Sequence, residues 1–125
     1  MNKTTVAAFA LLLGSAIAVT APAFAQKPGP NGGLVAGKDG HETELIVAPG
    51  EITVYLLHGN KPQATKNANL RMVIQESGKT KTVALKEAGG KLVAKIDQPL
   101  GKGAIVVITG KDDHGHAVSS RYVIK

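Results

Sequence analysis

The chain has 125 residues, a formal net charge of +6, four histidines, no cysteine and no tryptophan. Without cysteine there is no disulfide framework, no thiolate metal site and no cysteine nucleophile. The basic residues are dispersed and aromatic side chains make up 3% of the chain, so base-stacking platforms are missing and no nucleic-acid partner is expected.

Residues 1–25 read as a secretory signal peptide. Met1 to Thr5 carry one positive charge, on Lys3, and Val6 to Val19 carry none. Ala23-Phe24-Ala25 fits the small-x-small rule, which sets cleavage between Ala25 and Gln26. A membrane anchor fits less well. The uncharged stretch is short for a span of about 20 residues, and Gly14 and Ser15 interrupt it. The expected product is an exported, periplasmic protein with no membrane span after cleavage. It would carry the +6 of the whole chain less the charge of Lys3, that is +5.

Gln26 to Gly33 holds two prolines and three glycines, which suits a flexible lead-in or a turn and no central strand. Residues 34–125 then read as a single domain. Seven runs of β character follow one another: Glu42–Ala48, Glu51–His58, Asn69–Glu76, Lys79–Lys86, Lys91–Asp97, Gly103–Thr109 and Ala117–Lys125. Turn signals separate them. Pro49-Gly50 joins a pre-set φ to a residue that accepts positive φ, and Ser77-Gly78 is a tight hairpin turn. Leu70, Met72 and Ile74 alternate with polar or smaller neighbours, as do Leu92, Ala94 and Ile96, and Val118, Ser120, Tyr122 and Ile124. Ile52–Leu57 and Ile105–Ile108 are apolar on both faces and should be central strands. No helical window of useful length intervenes. The expected fold is all-β, an antiparallel β-sandwich of immunoglobulin-like kind, with a small closed barrel as the alternative.

The chemistry rests on histidine and carboxylate. Asp112-Asp113-His114-Gly115-His116 lies between two strands, and a His-x-His loop can turn both imidazoles to one side. His114 and His116 are then the primary metal ligands, with Asp112 or Asp113 supplying an oxygen. Imidazole and carboxylate without sulfur suit Cu(II), Zn(II) or Ni(II). The competing reading is a polar hairpin whose Asp, His and Gly serve the turn. His41 and Glu44 add donors at the start of the Glu42–Ala48 run, although alternation sends them to opposite faces. His58 closes its strand on the face of Ile52, Val54 and Leu56. Ligating imidazoles must be neutral, so binding should weaken as pH falls through about 6.5. No enzyme is expected: neither Gly-x-Ser-x-Gly nor His-Glu-x-x-His occurs.

Several short segments carry a resemblance. They are Pro30-Asn31-Gly32-Gly33, His41-Glu42-Thr43-Glu44-Leu45-Ile46-Val47, Val54-Tyr55-Leu56-Leu57, Asn60-Lys61-Pro62 and Ser120-Arg121-Tyr122. Together they resemble a small exported domain found alone in the bacterial periplasm or fused to the periplasmic adaptors of heavy-metal efflux pumps. The resemblance implies a metal-ion binding or metal-efflux accessory role, an efflux-adaptor partner, and functional weight on His41 and Glu44. The His114–His116 loop lies outside that pattern. The other reading is an envelope structural or protein-interaction module that binds a partner through a sheet edge without metal.

Overall fold

A computed structural model describes residues 26–125; the expected signal peptide and its expected cleavage point lie outside the described residues. The chain forms β1 (Lys27–Pro28), β2 (Leu34–Lys38), β3 (His41–Ala48), β4 (Glu51–His58), β5 (Lys61–Gln63), β6 (Asn69–Glu76), β7 (Lys79–Val83), β8 (Lys86–Glu87), β9 (Leu92–Lys95), β10 (Ile105–Lys111) and β11 (Ala117–Val123). One sheet runs β1-β2-β3-β4-β9-β8, with β5 also paired to β4, and the other runs β11-β10-β6-β7. All pairings are antiparallel. The two sheets stay separate, so the fold is a sandwich and no barrel closes.

The seven expected runs are β3, β4, β6, β7, β9, β10 and β11, and β4 and β10 are flanked on both sides as their apolar character required. Four short strands were not legible. Lys27–Pro28 is no free lead-in: it pairs with Leu34–Val35 at the sheet margin, where proline's missing N–H costs no ladder bond. Gly33, Gly37 and Gly40 obscure β2. Lys61–Gln63, which reads as turn, carries its Pro62 on a margin strand. The Lys79–Lys86 run divides because the chain crosses at Ala84–Leu85 from one sheet to the other.

The core lies between the sheets and takes the inward alternating positions: Leu45, Ile52, Val54, Leu92 and Ala94 from one side, Met72, Ile74, Val106, Ile108 and Tyr122 from the other. A hydroxyl chain crosses this apolar layer. Ser120 Oγ donates to the Ala36 carbonyl at 2.9 Å and Thr43 Oγ1 donates to Ser120 Oγ at 2.8 Å. The Tyr122 hydroxyl donates to the Thr43 carbonyl at 2.6 Å. Each buried hydroxyl is thereby satisfied, and the pairing of the sheets is fixed by directional bonds as well as by packing. No helix of the described residues is long and apolar enough to cross a membrane.

Candidate metal centre

Three hairpin tips meet at one end of the sandwich. The β2–β3 turn is Asp39-Gly40, with φ of 55° and 77°, and the β4–β5 turn is Gly59-Asn60, with φ of 57° and 71°. Two successive residues of positive φ give the tight turn that matches strand twist. The Gly59 N–H donates to the Gly40 carbonyl at 3.1 Å, which ties the two tips together. His41 and His58 are cross-strand partners directly behind these turns, with ring centroids 5.0 Å apart, edge to face. His41 shares the inward face of Thr43 and Leu45, so it points toward the opposite sheet at the open end of the core.

The third tip is the β10–β11 loop, and Asp112 builds it. One carboxylate oxygen, Oδ1, accepts the backbone N–H groups of His114 at 2.9 Å and His116 at 2.8 Å. The Asp112 N–H donates to the His116 carbonyl at 2.9 Å, and Gly115 takes φ of 81° to close the loop. The other oxygen, Oδ2, accepts Gln63 Nε2 at 3.0 Å, a contact that β5 supplies. Gln63 also reaches Asp113 Oδ1 at 2.7 Å. The Asp112 side chain is 1% exposed. Burial alone would raise its carboxyl, yet the Gln63 bond, the two backbone N–H groups and the neighbouring His116 hold it down at about 2. The aspartate is a fixed anion.

Two imidazoles turn toward that anion. His41 Nδ1 lies 3.4 Å from Asp112 Oδ2, and His116 Nδ1 lies 3.6 Å from the same atom. The His41 and His116 rings are 4.7 Å apart. Donor atoms of His41, Asp112 and His116 all fall within 4.8 Å of one another. His41 Nδ1 is buried and has no hydrogen-bond partner, because its approach to Asp112 is close but misaligned. A buried ring nitrogen without a partner costs free energy unless something occupies its lone pair.

The sequence expectations divide accordingly. His116, Asp112 and His41 come together. His114 stands beside them: its ring is 6.2 Å from that of His116, its Nε2 sits 3.6 Å from Asp113 Oδ2, and its side chain is 69% exposed. The residues whose donor atoms converge are thus His41, Asp112 and His116, and His114, expected beside His116, stands outside that group. Glu44 lies elsewhere, as alternation along β3 requires. Its fully buried carboxylate accepts the Asn31 N–H at 2.8 Å, Asn31 Nδ2 at 2.9 Å and the Gly33 N–H at 2.8 Å. It clasps the Pro-Gly turn to β3 with both of its oxygens. Gln63 carries no sequence signal beyond its position three residues past the Gly59-Asn60 turn.

No family model, curated protein or solved structure matches the chain.

Proposed function

We propose that this protein is a non-catalytic binder of one transition-metal ion, held by His41, Asp112 and His116, and that it serves metal handling in the exported compartment. The observation that carries the reading is the convergence of three donors from both sheets on one point, with His41 Nδ1 buried and unpartnered. Metal–ligand bonds of about 2.0–2.1 Å set donors of a tetrahedron about 3.4 Å apart, against about 2.9 Å for neighbours in a square plane. The two separations from the shared Asp112 oxygen, 3.4 and 3.6 Å, lie nearer the tetrahedral value, which favours Zn(II) among Zn(II), Cu(II) and Ni(II). Gln63 and the loop amides orient Asp112 in the way that outer partners orient a ligating carboxylate.

Docking of a partner strand is less well supported. The β7 edge carries Lys79 and Lys81, and β1, β5 and β8 are only two or three residues long, which leaves the seven-residue β11 as the remaining margin. Charged or very short margins discourage strand addition. The resemblance to efflux-adaptor domains, carried by segments around His41, supports an accessory role in metal export.

Calorimetric titration of the purified protein with Zn(II), Cu(II) and Ni(II) tests the reading. One ion per chain with Zn(II) is the expected result. Binding that survives unchanged in His41→Ala combined with His116→Ala would remove the assignment.

A further inference from the structure

The triad supplies three donors, and a tetrahedral ion needs four. His58 and His114 are the imidazoles near enough to be considered, and both stand outside the convergent group. His58 ends β4 with β3 paired on one side and β5 on the other, and its ring stands edge to face against His41. His114 leans on Asp113, which Gln63 fixes at 2.7 Å. Neither joins the group of atoms within 4.8 Å. Between them lies an open depression of about 210 Å³ lined by His58, Pro62, Gln63, His114 and His116. One wall is therefore a ligand of the triad.

Resting on the metal reading above, we infer that the bound ion keeps one exchangeable coordination position facing this depression, and that the position accepts an external monodentate donor. The chemical class is a small anion, an imidazole or a thiolate. Water fills the position otherwise. A closed four-donor cage holds an ion for structure, whereas three protein donors with an open fourth position let another molecule bind the ion directly. The surroundings suit that exchange. His41 is carried on a strand, and the loop bonds hold Asp112 and the backbone of His116, so an incoming donor meets a site whose backbone is already in place.

The test uses purified protein carrying one equivalent of Co(II), whose visible spectrum reports coordination, titrated with azide. The expected result is a saturable spectral change at one azide per ion. His58→Ala and His114→Ala should retain it. Pro62→Trp, which fills the depression without replacing a donor, should still take up Co(II) and should weaken azide binding at least tenfold. Co(II) uptake with no azide response in the parent overturns this inference and leaves the metal reading standing. So does an azide response that appears only in His58→Ala or His114→Ala, since that imidazole would then close the fourth position. An azide response undiminished in Pro62→Trp overturns the assignment of the open side to this depression. Failure of the parent to take up any ion overturns the metal reading itself.

Discussion

At the scale of single residues, Asp112 does two jobs with its two oxygens. Oδ1 folds the loop and Oδ2 faces the imidazoles. Asp112→Ala removes both: it strands two backbone N–H groups and leaves the Gln63 amide with Asp113 alone. A loss of about 1–3 kcal/mol in urea unfolding is expected, together with loss of ion binding. His116→Ala separates these functions, because its side chain is 58% exposed. Its unfolding free energy should stay within about 0.5 kcal/mol of the parent while calorimetry shows binding abolished. His114→Ala should retain binding, and equal losses in the two single variants would return the site to the loop pair. Glu44 makes a separate case. Glu44→Ala frees the Asn31 and Gly33 amides, so hydrogen exchange across residues 27–35 should accelerate while metal affinity holds.

At the scale of elements, the long strands were legible because half-buried strands alternate and end at Gly or Pro. Met72 and Ile74 on β6 and Val118 and Tyr122 on β11 face the core as their spacing required. Strands of two or three residues carry no period, so β1, β5 and β8 left no trace. The site was half legible for a related reason. Alternation gave the faces of His41 and Glu44 correctly, but it says nothing of which hairpin tips share an end of the sandwich. That depends on sheet order, which brings β3 opposite β11, and on β5 carrying Gln63. Gly110 in β10 illustrates the same dependence on pairing. Its φ is 147°, and a Cβ there would run into the Asn69 carbonyl oxygen across the β6 pairing. Gly110→Ala should cost about 1–3 kcal/mol from strain, seen as a lowered urea midpoint with an unchanged slope.

At the scale of the whole molecule, the proposed ion bridges the two sheets, with His41 from one and the β10–β11 loop from the other. Binding that favours only the folded chain adds about 2.7 kcal/mol when free ion is a hundredfold above Kd. Zn(II) should therefore raise Tm in differential scanning calorimetry for the parent and leave it unmoved in His41→Ala. The hydroxyl chain through the core has an optical consequence. Tyr55 and Tyr122 are the only aromatic rings of Phe, Trp or Tyr type among the described residues, and Tyr122 is fully buried. Burial, against the opposing Thr43 hydrogen bond and reinforced by nearby Glu44 and Glu42, pushes its phenol above the ordinary value of 10. The stability this lends is fully present below pH about 10 and is lost as pH climbs beyond it, since the unfolded phenol releases its proton first. Tyr122 is thus a built-in alkaline indicator. Its tyrosinate absorbance should develop only as the two sheets part, in step with the loss of far-ultraviolet dichroism, and a Tyr122 signal that precedes that loss would show the phenol open to solvent in the native state.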